Sequence, residues 1–417
     1  MVANDCAWRH GIGANAHHAA GAQTDMTTEK LVAHPWLPAA PRPARRAVLA
    51  ACAGGLLALR PRAGLATVPA EWPAFRQRFV TPEGRVLDTG NGNISHSEGQ
   101  GAALLFAVRA DDRATFERVL SWTRTVLRRP TDALLAWRYR PGTTTPVSDL
   151  NNATDGDLMV AWALTEAAER WGAAQHRALA VQMGRDLLRR VVMSQADEIV
   201  LLPGAEGFFR PDHLVVNPSY YVFPAFRALD RVLPSPHWRA LEESGVALAS
   251  RARFGRWRLP PDWVTLPRGA GRPGLAAGWP PRFSYDAVRV PLYLAWGGRN
   301  DGAALRSAVE FWSDPAHASP PAWADLRTNA IAPYGGDAGQ RAVERLAQAS
   351  LYGSGRAALL PRVAGAPHYY AASLIMMSQL AWRDLSVPEP GNPGSSPSTA
   401  GASSQPWLLS LLSPGRR

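Results

Sequence analysis

Three short segments set carboxylates among residues suited to binding and proton transfer. The first runs Asp88-Thr89-Gly90-Asn91-Gly92-Asn93-Ile94-Ser95-His96-Ser97-Glu98-Gly99-Gln100-Gly101, a Gly- and Asn-rich loop entering the apolar run Ala102 to Val108. Glu98 stands where loop becomes helix. A carboxyl held against apolar groups keeps its proton more readily, as a general acid must. The positive end of a helix also favours an acid there, so this segment alone leaves both readings open. The second is Asn151-Asn152-Ala153-Thr154-Asp155-Gly156-Asp157. Asp157 follows Thr154 at capping-box spacing. Asp155 has no such explanation, although Asn and Asp are frequent in turns. The third is Phe283-Ser284-Tyr285-Asp286-Ala287-Val288-Arg289-Val290-Pro291. Asp286 and Arg289, three apart, can form a simple ion pair on one helical face. Alternatively, Asp286 is a general base held by hydrogen bonds from Tyr and Arg. Ser95-His96-Ser97 suggests a Ser/His hydrolase, but no G-x-S-x-G or strand–turn–helix context supports one.

The elements around these segments read as helices. Asp111 or Asp112 can cap a helix running to about Arg129, and Thr154 with Asp157 opens another through Leu158, Ala161, Trp162 and Ala168. A helix over about Ala174 to Met193 follows. Asn217-Pro218 and Ser235-Pro236 each put a cap residue before a proline at the first helical position. Further helices fit Val290–Trp296, Gly302–Trp312, Ala338–Tyr352 and Tyr369–Leu385. About ten to twelve helices follow in pairs, and strand alternation is scarce. Paired helices over some 320 residues make a solenoid or a closed toroid. A solenoid requires a fixed repeat period, which is not found, so an all-α closed barrel is expected, with the site on loops at one rim.

The two ends read differently. Arg45-Arg46 precede an apolar run, Ala47 to Leu59, and Gly64-Leu65-Ala66 form a small-residue cleavage site. This is the order of an export signal, too short to span a bilayer. Residues 1–66 are therefore expected to be leader, 67–386 the catalytic domain, and the Pro/Gly/Ser-rich residues 387–417 a disordered tail. The mature protein is expected to be secreted or periplasmic, with no membrane span. Cys6 and Cys52 both precede the expected domain, which then has no disulfide, zinc–thiolate site or cysteine nucleophile. The net charge of +11 rests on scattered arginines, with Lys30 the only lysine. No basic stripe interleaved with aromatics indicates nucleic acid as a partner. Among the 16 tryptophans, Trp137 and Trp263 sit in polar, proline-bounded segments suited to stacking on sugar rings, whereas Trp162 sits in an apolar helix.

Taken together, these segments resemble glycoside hydrolase family 8, in particular its members associated with bacterial cellulose synthesis. The matching strings are Gly92 to Gly101, Ala110 to Phe116, Asn151 to Asp157, Asn217-Pro218-Ser219-Tyr220, Pro260-Pro261-Asp262-Trp263 and Ser284 to Tyr293. They occur in the family's order over about residues 70 to 386. The resemblance implies an (α/α)6 barrel with an open cleft for a β-1,4-linked glucan. It implies Glu98 as proton donor and Asp286 as the base that activates water on the opposite face. It implies that Asp155 holds the distorted sugar, with Trp137, Tyr220, Tyr285 and Arg289 around it. No metal or cofactor is implied. Such an acid and base must stand roughly 6.5–9.5 Å apart to admit the water. An export complex of a cellulose synthase is a candidate partner. Ala102-Ala103-Leu104 departs from relatives, in which a larger residue commonly follows Gly101. Another β-1,4 glycan such as chitosan, xylan or a mixed-linkage glucan, or a non-catalytic glycan-binding role, are the alternatives.

Overall fold

The computed structural model describes residues 70–386 apart from 196–197, 270, 301 and 354–359. The proposed leader to residue 66, the tail from 387, Cys6 and Cys52 lie outside these residues. Among the described residues, eleven α-helices occur in chain order: α1 (Trp72–Phe79), α2 (Ser97–Arg109), α3 (Arg113–Val126), α4 (Thr154–Trp171), α5 (Ala174–Arg190), α6 (Phe223–Val232), α7 (Pro236–Arg251), α8 (Arg289–Trp296), α9 (Ala303–Trp312), α10 (Ala338–Tyr352) and α11 (Tyr369–Ser386).

Burial sorts the helices into two layers. A helix apolar all round must be enclosed by others. α2 buries 11 of its 13 residues, α4 13 of 18 and α8 all eight, whereas α3 buries only 5 of 14. Accordingly α2, α4, α6, α8, α10 and α11 pack in succession as an inner ring. α3, α5, α7 and α9 cover it from outside, and α1 touches both α2 and α11, sealing the ring. This is the expected (α/α)6 barrel. The inner helices run parallel, so Glu98, Asp155, Arg289 and Tyr369 all lie at N-terminal ends on one rim. The other end is closed by a buried polar group. Arg109 bonds both Glu166 and Asp384, Trp162 Nε1 donates to Glu166 at 2.7 Å, and Trp296 Nε1 donates to Asp384 at 2.9 Å.

The local signals mostly act as the sequence suggests. Asp112 caps α3, accepting from Thr115 N at 3.0 Å. Asn217 and Ser235 cap the turn Pro218–Tyr220 and helix α7. Two elements end early, α3 at Val126 and α5 at Arg190. The chain after α5 turns into an antiparallel hairpin, Val192–Gln195 with Glu198–Leu201. The capping box at Thr154 is absent, because both partners are taken by distant groups. The N-cap of α4 is Ala153, and Thr154 Oγ1 donates to Leu202 O at 2.7 Å. Asp157 accepts from Leu135 N and Asn152 Nδ2 at 2.9 Å each. Short antiparallel pairings build the rim. In one, His213–Val216 pairs with Val264–Pro267, placing Asn217 and Trp263 side by side at the strand ends.

Helices α2 and α4 meet at unusually close range. A Cβ on Gly156 would stand 2.2 Å from Ser97 Oγ and 2.6 Å from Glu98 N, and one on Gly101 would stand 2.6 Å from Met159 Cβ. The glycines thus let Glu98 and Asp155 share one side of the mouth. Gly156→Ala forces the helices apart, so it should cost about 1–3 kcal/mol of stability and turnover as well. Thermal melting and an activity assay check this, and wild-type values in both would refute the close fit.

Candidate active site

The loop before α2 is shaped by its Gly and Asn residues. Gly92 and Asn93 take φ of 62° and 56°, the left-handed region these residue types tolerate. The chain returns through Ser95–His96, paired antiparallel with Arg138–Tyr139, and Ser97 N donates to Trp137 O at 3.0 Å. Trp137 is thereby held beside Glu98, with its Nε1 donating to Asp149 at 2.7 Å. His96 Nδ1 accepts from Gly99 N at 3.0 Å and caps α2. Ser95 Oγ donates to Val86 O at 2.6 Å. These two side chains are therefore committed to the loop and form no Ser–His nucleophile pair. Gln100, also buried, anchors the loop by accepting from Val86 N at 2.7 Å and donating to Thr123 Oγ1 at 2.7 Å.

The centre of the site is the Arg289 guanidinium, whose side chain is 2% exposed. Its Nη1 lies 2.8 Å from Glu98 Oε2 and 3.0 Å from Asp155 Oδ2, and its Nη2 lies 2.8 Å from Asp286 Oδ1. Nη2 also donates to Ser219 Oγ at 3.1 Å. The i,i+3 ion pair expected from sequence is present, as one arm of a hub joining α2, α4 and the start of α8. Glu98 Oε2 and Asp286 Oδ1 sit on different nitrogens of one planar fork, which places those oxygens no more than about 8 Å apart. Glu98 is therefore not set in purely apolar surroundings, as its sequence context suggests. Apolar α2 lies behind it, but its carboxylate faces the guanidinium and its side chain remains 21% exposed.

All seven residues singled out from the sequence line one cavity of about 150 Å³: Glu98, Trp137, Asp155, Tyr220, Tyr285, Asp286 and Arg289. Tyr220, rather than Tyr221, faces it. The Tyr221 hydroxyl accepts from Leu201 N within the core. Trp263 is instead almost fully buried, stacked between Phe208 and Trp279 at centroid distances of 5.8 and 5.0 Å. Trp162 lies at the opposite end, as its apolar context suggests. Sequence reasoning passed over Tyr370, which lines the cavity and donates its hydroxyl to Tyr285 O. The adjacent Tyr369-Tyr370 pair at the start of an apolar helix was the available signal. Among the described residues, no group of three or more His, Cys, Asp or Glu side chains could hold a metal ion.

Crowding of carboxylates controls the electrostatics. Burial, and then the charges of Glu98 and Asp286, push Asp155 up to about 7 against the opposing pull of Arg289. Asp286 is also raised, chiefly by burial and by Glu98, while Arg289 and hydrogen bonds from Asn217 and Trp263 favour its charged form. Asp155 and Asp286 thus hold protons at a higher pH than an exposed Asp does, and their titrations are linked.

Carboxylates gathered about a cavity lined with aromatics fit glycoside hydrolysis, and sequence comparison identifies the lineage. Residues 48–384 match the family described as glycosyl hydrolases family 8. The chain belongs to this family. The match begins within the segment read as leader. A probable endoglucanase of Novacetimonas hansenii is 42% identical over 314 residues, covering 75% of this chain and 90% of that protein. Among solved structures, the endo-beta-1,4-glucanase CMCax from Acetobacter xylinum aligns with a TM-score of 0.71 and 41% identity, covering 75% and 97% of the two chains. Endoglucanase Cel10 from Klebsiella pneumoniae aligns with a TM-score of 0.71 and 38% identity, covering 76% and 99%. This family 8 chain is accordingly a glycoside hydrolase, and the cavity at its rim is its candidate active site.

Proposed function

We propose that this family 8 hydrolase is an inverting endo-β-1,4-glucanase acting on cellulose, with Glu98 as acid and Asp286 as base. The observation that carries the reading is the Arg289 hub, which gathers three carboxylates at one mouth, two of them on different nitrogens of one fork. The bound of about 8 Å overlaps the roughly 6.5–9.5 Å gap that admits a water between acid and base. Glu98 delivers a proton to the leaving glycosidic oxygen. Asp286 takes one from the water attacking the anomeric carbon on the other face. Asp155, 1% exposed and fixed by Gly156 N at 2.8 Å, holds the sugar being cleaved. Trp137, Tyr220 and Tyr285 supply faces and hydroxyls for that sugar and its neighbours. β-1,4-Glucan is preferred over xylan or chitosan because the relatives at about 40% identity are endoglucanases by name.

The leader-like order of Arg45-Arg46, apolar run and Gly64-Leu65-Ala66 supports export, with a periplasmic or secreted product that trims nascent cellulose, beside or within a synthase export complex. Among the described residues no helix is long and apolar enough to cross a membrane. The decisive measurement is an NMR time course on a soluble cello-oligosaccharide. The α-anomer should appear first and then mutarotate, with internal cleavage seen by product sizing. First appearance of the β-anomer would rule out the inverting assignment.

A further inference from the structure

Asp262 is buried beside the catalytic centre but lines no part of the cavity. Its carboxylate is spent on one short turn. Oδ1 accepts from Ser284 N at 3.1 Å and Ala287 N at 2.7 Å, and Oδ2 accepts from Ser284 Oγ. Those donors bracket Asp286. Asp262 N in turn donates to Arg282 O at 2.7 Å, tying the two strands of chain together just before the turn. Among the described residues no Arg, Lys or His forms an ion pair with Asp262.

This arrangement exceeds what a structural turn requires. An asparagine in the same place could accept both backbone N–H groups at its oxygen and present its amide to the Ser284 hydroxyl. A buried carboxylate without a cation is costly, and burial, then the Asp286 charge, push Asp262 up to about 7. We infer that Asp262 is a positioning residue for hydrolysis: its three hydrogen bonds aim the turn that carries Asp286. This rests on the catalytic reading of Asp286 above. The other groups that face Asp286 are Arg289, Glu98 and Asp155, with Asn217 and Trp263 as neutral neighbours. All remain in place when Asp262 is changed.

The test compares Asp262→Asn and Asp262→Ala with wild type on carboxymethylcellulose, reading kcat, KM and thermal melting. Asp262→Ala frees the turn and should lower kcat by about 100-fold, as a misplacement near 1 Å does, with KM changed less than about threefold. Asp262→Asn keeps the turn and recovers most of that loss. The inference is overturned if Asp262→Ala turns over normally. It is equally overturned if both variants lose activity only in proportion to lost folding, with Asp262→Asn recovering none of the turnover. The Asp286→Asn variant in the same assay keeps the two claims apart. Near-normal turnover there defeats the catalytic reading, whereas an inactive Asp286→Asn beside an unaffected Asp262→Ala defeats only the positioning role.

Discussion

Glu98→Gln and Asp286→Asn should each lower kcat on carboxymethylcellulose by at least about 10³-fold, while both proteins stay folded. General acid or base assistance is worth about 10²–10⁴-fold, and inversion depends on both at once. The amides preserve shape and most contacts. Glutamine still offers an oxygen to Arg289 Nη1, and asparagine one to Nη2, in place of contacts now at 2.8 Å. Each change also relieves repulsion within the carboxylate group, so the melting temperature should hold or rise at neutral pH. A leaving group that needs no protonation, such as a nitrophenyl cello-oligosaccharide, should restore much of the Glu98→Gln rate and none of the Asp286→Asn rate. Turnover of either variant on carboxymethylcellulose within tenfold of wild type would assign the acid and base elsewhere.

Arg289→Met should have the larger effect on folding. It leaves Asp155, Asp286 and Glu98 without their common counter-charge, and the Asp155 side chain is only 2% exposed. Removing one partner of a buried ion pair costs about 3–5 kcal/mol, and here one side chain serves three. The sign of the pH dependence follows from the carboxylates. Without the guanidinium the Asp155 and Asp286 carboxyls, already raised, rise further above their unfolded values, so the lost stability is recovered as they take up protons at low pH. It is greatest above about pH 7, where the folded protein must hold them charged. Melting curves between pH 5 and 8 should therefore diverge from wild type with rising pH, with activity lost throughout. Arg289→Lys keeps a charge but not the fork, so it should restore part of the stability and little activity. Wild-type melting of Arg289→Met at pH 8 would mean that the hub is not the counter-charge of the site.

Much of the barrel is legible in the sequence because its signals are local. Asp112, Asn217 and Ser235 cap as their neighbours suggest, and Ala338–Tyr352 forms a helix over its expected span. What was misread depends on contacts from afar. Asp157 has the spacing of a capping partner, yet Leu135 and Asn152 claim it, and Thr154 is drawn to Leu202. Arg289 was legible as a neighbour of Asp286, three residues away. Its bond to Asp155 crosses 134 residues, and no periodicity marks such a pairing. Asp262 sat in a recognised string without a role, because the turn it braces lies over 20 residues downstream. The seven nominated residues reached one cavity through the order of the strings, not through any single spacing.

The group formed by Arg109, Glu166, Asp384, Trp162 and Trp296 stoppers the barrel at its far end. Access to the site is then from the rim alone. A polymer would have to lie over that rim, where any stretch of its length could meet Glu98 and Asp286 in the roles proposed for them, and both fragments would leave by the side from which the chain arrived.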